Sequence, residues 1–224
     1  MSGSTYSAMS VSVMNADGSD HRVLARGTSF SLAWSPDGKK IAFSSSKDTV
    51  GVTKGCSQVY VVNVDGTAER SLTQRPGRRT RWCYGSPAWS PGGRRIAVRR
   101  APEADRYGVS HVYVMNADGS GQRRLTRLDE AVGHGGLAWS PDGRKIAFES
   151  EVAYLPGANG EIFVVNADGS GRRNLTRNPA HDFDPDWSPD ARQILFVSNR
   201  DGRHEIYVMN ADGSGQRRLT HRGE

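Results

Sequence analysis

Residues 162–196 read IFVVNADGSGRRNLTRNPAHDFDPDWSPDARQILF, and their reading decides the fold. The run Ile162–Val165 is β-branched and aromatic, as a strand requires. Asn166-Ala167-Asp168-Gly169 follows, and an Asp-Gly pair between apolar runs is a strong short-range hairpin signal. Leu175-Thr176 closes the return strand. A polar crossing leads to Asp186-Trp187, a second tight turn at Ser188-Pro189-Asp190, and the run Ile194-Leu195-Phe196. One unit is therefore four short strands and two hairpin turns.

The unit recurs. The NxDG turn begins at Asn15, Asn63, Asn116, Asn166 and Asn210, in steps of 48, 53, 50 and 44. The W-S-P turn begins at Trp34, Trp89, Trp139 and Trp187, in steps of 55, 50 and 48. A period of about 40–50 residues with four strands per unit marks a β-propeller, whose blades cover one another's faces. The expected fold is all-β: a propeller with four complete four-stranded blades plus a leading half-blade. All 224 residues fall in one domain, with a half-blade at 1–25 and blades at about 31–73, 86–126, 136–176 and 184–220. The half-blade and the last blade both end on strands three and four, so neither completes the other. Three arrangements fit: a fragment of a larger ring, an open or irregular ring, or a ring closed against a second chain. The fragment is favoured, and an open blade edge invites self-association.

Composition narrows the class. Hydrophobic residues make up 36% and glycines number 26, which suits a turn-rich β protein. No segment approaches the ~18 consecutive apolar residues of a membrane helix. The opening MSGSTYSAMSVSV has no basic region and no apolar core of signal-peptide length, so the default expectation is the cytoplasm. A net charge of +6 suits acidic partners but is mild for a nucleic-acid binder.

Strand alternation places the W-S-P and NxDG turns at one end of the ring. The other end carries the long, variable connections: 45–57, 74–85, 99–110, 127–135, 149–160 and 177–183. Variable loops on a rigid scaffold are where binding usually resides. This loop face is the expected functional face.

Turn chemistry explains most of the motif residues. The NxDG turns contain half of a calcium-loop pattern but lack its terminal glutamate, and they read as hairpins in which Asp caps local backbone. The tryptophans read as inter-blade core with locally bonded indole N–H groups. Ala191 stands where the first and third units have Gly38 and Gly143. If that slot needs φ > 0, alanine costs about 1 kcal/mol there.

Trp139–Phe148 (WSPDGRKIAF) and Ile206–Thr220 (IYVMNADGSGQRRLT) resemble the TolB-like propeller repeats, also called WD40-like PD40 repeats. The resemblance runs from about Val11 to Thr220. It implies a binding propeller like that of TolB, a protein-binding partner in the Tol–Pal envelope system. TolB itself has six blades and a separate N-terminal domain. Similar repeats accompany hydrolases in tricorn-type and prolyl-oligopeptidase-type serine peptidases, so a detached peptidase propeller, or a small propeller enzyme such as a lyase, is the alternative. A mature or partial TolB-like chain would be periplasmic or secreted.

The resemblance also implies an acidic channel-mouth position five residues before each tryptophan. Here those residues are Ser29, Tyr84, His134 and Asp182, and only Asp182 fits. Asp182, Asp184 and Asp186 alternate, so an extended segment would point all three one way and could hold a cation such as calcium. The competing reading is a solvated anionic rim, and no cofactor is otherwise expected.

A basic cluster in the second unit is the main binding candidate: Arg75, Arg78, Arg79, Arg81, Arg99 and Arg100, with Trp82, Tyr84 and Tyr107. Arginine with aromatics is the composition of protein hot spots and of single-strand stacking sites. A solvated charged loop reads equally well. Its short runs make no continuous groove, which favours an acidic protein or peptide over nucleic acid. Cys56 and Cys83 lie on adjoining segments of the same face, as either a disulfide or two free thiols.

No catalytic signature is found. The nucleophile elbow G-x-S-x-G, H-E-x-x-H and the P-loop are all missing from the sequence. The six histidines show no repeating ligand spacing. The chain reads as a non-catalytic scaffold for protein–protein or peptide interaction.

Overall fold

The computed structural model describes residues 10–26, 29–47, 56–73, 82–102, 109–127, 131–151 and 159–221, and these contain strands and turns but no helix. The half-blade is β1 (Ser10–Val13) and β2 (Arg22–Arg26). Blade I is β3 (Ser29–Trp34), β4 (Lys40–Ser45), β5 (Gln58–Asn63) and β6 (Arg70–Ser71). Blade II is β7 (Trp82–Trp89), β8 (Arg95–Pro102), β9 (His111–Asn116) and β10 (Arg123–Arg124). Blade III is β11 (Ala131–Trp139), β12 (Lys145–Glu151), β13 (Gly160–Asn166) and β14 (Arg173–Asn174). Blade IV is β15 (Asp182–Trp187), β16 (Gln193–Ser198), β17 (Glu205–Asn210) and β18 (Arg217–Arg218). Each blade is an antiparallel meander in sequence order, and among the described residues no sheet joins strands of the half-blade to those of blade IV.

The turns are built as their residue types demand. In the Asn166 turn, Gly169 N donates to Asn166 O at 2.7 Å, and Gly169 takes φ 84°. Asp168 Oδ1 accepts from both the backbone N and the Oγ of Ser170, at 2.9 and 2.6 Å. In the W-S-P turn of blade III, Ser140 Oγ donates to Asp142 Oδ1 at 2.5 Å and accepts from Lys145 N at 2.8 Å. The two turns sit side by side, since Ala167 N donates to Arg144 O at 2.7 Å. Both turn types therefore occupy one end of each blade, and the long connections occupy the other.

Period-two alternation divides each blade between two seams. Ile96, Val98 and Met115 pack backward with Val59, Val61 and Leu72 of blade I. Ala97, Val112 and Val114 pack forward with Ile146, Phe148 and Phe163 of blade III. Equivalent clusters fill the half-blade–I and III–IV seams. Each fully buried side chain such as Phe148 contributes about 1.5–3 kcal/mol, and Phe148 shares its cluster with Ala97, Val112 and Val114 of the preceding blade.

The seams carry a repeated polar latch as well. Arg70, Arg123 and Arg173 each reach forward to a carbonyl of the next NxDG turn: Asp118 O at 3.2 Å, Asp168 O at 2.6 Å and Asp212 O at 3.2 Å. The tryptophans also bond across the seam rather than locally. Trp139 Nε1 donates to Ala88 O at 3.1 Å, and Trp187 Nε1 to Ala138 O at 3.2 Å. This corrects the expectation of local indole bonds. Strand one of the preceding blade, and not the tryptophan's own turn, supplies the acceptor. Trp89 departs from the pattern, with its Nε1 buried and unpartnered.

Candidate binding face

At the loop end, strands one and two pair to their limits: Trp82 with Pro102, Ala131 with Glu151, and Asp182 with Ser198. Every first strand is bulged a few residues before its tryptophan, at 29–32, 85–88, 132–137 and 183–186. A bulge inserts an extra residue and breaks facial alternation. Ser86 and Asp184 adopt φ 47° and 49° there.

That irregularity redirects the three aspartates. Asp182 is fully buried, and both its oxygens accept from Arg200 Nη2, at 3.1 and 3.0 Å. Asn178 Nδ2 donates to it at 2.7 Å. Asp184 Oδ1 instead accepts from Gly136 N at 3.1 Å, and Asp186 Oδ1 from Trp187 N at 2.9 Å. The carboxylates engage three separate partners and do not point one way, because the bulge falls between them. Among the described residues, no group of three or more His, Cys, Asp or Glu side chains is placed to hold a metal ion.

Of the proposed channel-mouth residues, the structure describes the side chains of Tyr84 and Asp182. Ser29 pairs with Ser45 through the backbone, and His134 lies within β11; their side chains fall outside the described residues. Tyr84 is buried, and its hydroxyl donates to Gln122 Oε1 at 3.0 Å. Burial pushes its phenol above the usual range. Asp182 is sealed beneath Arg200.

The basic–aromatic cluster divides in two. Arg75, Arg78, Arg79, Arg81 and Tyr107 lie outside the described residues. Arg100 sits 4.0 Å over the Trp82 ring, 4.7 Å from Tyr113 and 5.6 Å from Tyr84, and also reaches Gln122 Oε1. Arg99, the next residue on the strand, points to the opposite face. Its Nη1 donates to Gly133 O at 3.1 Å in the II–III seam. Burial lowers its pKa, while nearby Glu149 raises it. The adjacent arginines therefore do not form one patch, as the two-residue strand period requires. Trp82 remains exposed at 37%, with Arg100 stacked on it.

Beside this pair the I–II seam is braced. Cys56 and Cys83 are disulfide-bonded, with Cα atoms 4.9 Å apart. Tyr84 N donates to Ser57 O at 2.7 Å, and Gln58 Nε2 to Trp82 O at 2.8 Å. The start of β7, including Trp82, is thus tied to blade I by one covalent bond and two hydrogen bonds.

One constellation has no counterpart in the sequence reading. His181 Nε2 of blade IV donates to Glu149 Oε1 of blade III at 2.7 Å, and Gly135 N donates to Oε2 at 3.1 Å. A Cβ at Gly133 would collide with the Glu149 carboxylate, and one at Gly160 with the His181 ring. The glycines clear the space that the buried carboxylate fills. Gly133 and Gly135 lie in β11 and Gly160 opens β13, and glycines within strands were the available signal. Arg99, Glu149 and His181 thus form a polar bridge across blades II, III and IV. Glu149 has both oxygens occupied, which suits a brace.

Thr176 repeats a second missed device. Its Oγ1 accepts from Ile162 N at 3.0 Å and donates to Glu161. Thr126 and Thr220 likewise accept from Val112 N and Ile206 N, at 3.1 and 2.9 Å. Burial, more than any other effect, pushes the Glu161 carboxyl above the usual range.

Stacked four-stranded sheets with W-S-P and NxDG hairpins at one end and braced strand ends at the other define a propeller of the PD40 type. Residues 2–154 and 137–224 match the TolB beta propeller domain family, and the chain belongs to that family. Among solved structures, it is similar to TolB from Agrobacterium tumefaciens, with TM-score 0.71 and 23% identity over 95% of this chain and 70% of that one. TolB from Acinetobacter baumannii gives TM-score 0.71 and 20% identity over 94% of this chain and 48% of that one. Dipeptidyl-peptidase 5 from Porphyromonas endodontalis is 36% identical over 105 residues, 47% of this chain. The matched region spans only 14% of that peptidase's length.

Proposed function

We propose that this chain is a non-catalytic binding module that takes a protein or peptide partner on the loop end of blades I and II. No cofactor is invoked. The observation that carries the reading is the exposed Trp82 indole, stacked on Arg100 and anchored by the Cys56–Cys83 bridge. A preorganised aromatic beside a guanidinium is the usual core of a protein hot spot, since ordering costs little on binding. The net charge of +6 favours an acidic partner. The bridge itself accords with an oxidising compartment.

Binding to an array of acidic peptides tests this. Trp82→Ala should weaken capture at least tenfold, and so should the joint replacement of Arg75, Arg78, Arg79 and Arg81 by Ser. Equal capture by wild type and both variants would remove the loop end from consideration.

The match to Dipeptidyl-peptidase 5 favours a second reading, the propeller of a serine peptidase. Release of chromophore from dipeptidyl anilides by the purified chain would replace the binding reading outright.

A further inference from the structure

The W-S-P turns all lie within the described residues, and they form a row at the turn end of the blades. An ideal Cβ at Gly93 would lie 3.4 Å from Pro36 Cγ, and one at Gly143 would lie 3.8 Å from Pro91 Cδ. The turns of blades I, II and III therefore sit side by side. Each hands over to strand two through a basic pair: Lys39-Lys40, Arg94-Arg95 and Arg144-Lys145. Lys39, Arg94 and Arg144 are exposed.

Blade II breaks the charge balance of this row. Elsewhere the turn aspartate binds its own serine and the backbone of the first basic residue. Asp37 Oδ1 accepts from Ser35 Oγ at 2.6 Å and from Lys39 N at 3.1 Å, and Asp142 and Asp190 accept in the same way. The second oxygens of Asp142 and Asp190 lie 4.0 Å from the Nε atoms of Arg144 and Arg192. In blade II the aspartate's place is taken by Gly92. Nothing in the fold requires a glycine there: its φ is outside the left-handed region, and a Cβ would meet nothing within 4 Å. The turn closes without the carboxylate, with Gly93 N donating to Ser90 O at 2.8 Å and Arg95 N to Ser90 Oγ at 3.0 Å. Arg94 thus holds the position of Arg144 without the acid beside it. Arg95 reaches 5.3 Å over the Trp139 ring, which carries its charge toward blade III.

We propose that the W-S-P row of blades I to III is a second binding surface, at the opposite end from Trp82, for a linear phosphate chain centred on Arg94 and Arg95. Guanidinium forks match phosphate oxygens, and a basic pair on each successive turn matches a ligand whose charge repeats along its length. A planar anionic membrane would also meet the exposed aspartates of the NxDG turns, Asp65, Asp118 and Asp168, whereas a narrow chain laid along the W-S-P turns passes inside them. Single-stranded nucleic acid needs exposed rings on which its bases stack, and Trp139 beneath Arg95 is 8% exposed.

Anisotropy of fluorescein-labelled inorganic polyphosphate, titrated with the 224-residue chain over a salt series, tests the assignment. Wild type should bind, with an affinity that falls as salt rises. Gly92→Asp restores the acid that the other turns carry, and should weaken binding about fivefold at an unchanged melting temperature. Arg94→Ser should weaken it similarly and lower the salt slope by about 0.7. Arg203→Ser, at the loop end of blade IV, changes net charge as much as Gly92→Asp does. It should leave affinity within about twofold, because salt screens a charge a strand's length away. Wild type without affinity for polyphosphate overturns the proposal, and so does a Gly92→Asp variant that binds as wild type does. Equal weakening by Gly92→Asp and Arg203→Ser would show a response to net charge alone, which also overturns it. Tighter binding to phosphatidylglycerol vesicles or to oligothymidylate than to polyphosphate, lost in Gly92→Asp, would assign the row to a membrane or a nucleic acid instead.

Discussion

The indole nitrogen of Trp187 donates to the carbonyl oxygen of Ala138 across the seam between blades III and IV. Trp187 is 8% exposed, whereas Trp34, at the same repeat position in blade I, is 53% exposed. Among the described residues, the half-blade preceding Trp34 has two strands, β1 and β2, and neither is a strand one that could receive the indole. Trp187→Phe should therefore cost about 2 kcal/mol, from one lost hydrogen bond and reduced packing. Trp34→Phe should stay within about 0.5 kcal/mol. Urea unfolding of both variants compares them directly, and equal losses would contradict the seam account.

Ala191 stands at φ 59°, where Gly38, Gly93 and Gly143 stand at 67, 67 and 68°. The left-handed region brings Cβ against the carbonyl, which glycine avoids. Ala191→Gly should stabilise by about 1 kcal/mol, seen as a higher urea midpoint at unchanged slope. A lower midpoint would mean that Ala191, which packs against the III–IV core, gains more from its methyl than it loses in strain.

Acid sensitivity follows from the turns. Asp17, Asp37, Asp65, Asp118, Asp142, Asp168, Asp190 and Asp212 all sit below the usual carboxylate range, chiefly because a Ser or Thr hydroxyl donates to each. A folded pKa below the unfolded one gives stability that is complete above the unfolded value and lost as pH falls through the folded one. Glu161, raised by burial, acts in the opposite sense, favouring the fold at low pH. Melting temperature should thus hold between pH 7 and 5 and fall below about pH 4. Replacing Ser120, Ser170 and Ser214 together by Ala should lower stability at pH 7 and flatten the acid limb. An unchanged limb would place the acid sensitivity elsewhere.

The Cys56–Cys83 bridge closes a loop of 27 residues. By chain entropy it should add about 3.5 kcal/mol, so reduction should lower the melting temperature by about 10 °C. The Cys56→Ser/Cys83→Ser double variant should melt at that lower temperature with or without reductant. A melting temperature insensitive to reductant in wild type would show that the bridge contributes nothing.

Much of the molecule was legible in the chain because its turns are local chemistry. Asn, Asp, Gly and Ser within five residues complete one another's hydrogen bonds, so Asn166–Ser170 announces its hairpin without outside help. The β-branched runs beside it recur with each NxDG turn, at steps of 44 to 53 residues, so blade number and order followed. The site was less legible. Arg99 and Arg100 are neighbours in sequence, but the strand period sends one into the II–III seam and the other onto Trp82. Asp182, Asp184 and Asp186 alternate on paper, but a bulge common to all four first strands separates them, and no residue type announces it.

The residues alone determined which segments pair, where each blade turns and which end carries the variable loops, because those outcomes depend on partners a few positions away. Only the tertiary structure decided that Glu149 meets His181 and that the indoles of Trp139 and Trp187 bond to the blade before them. Each of those contacts joins residues 32 or more positions apart, brought together by blade stacking.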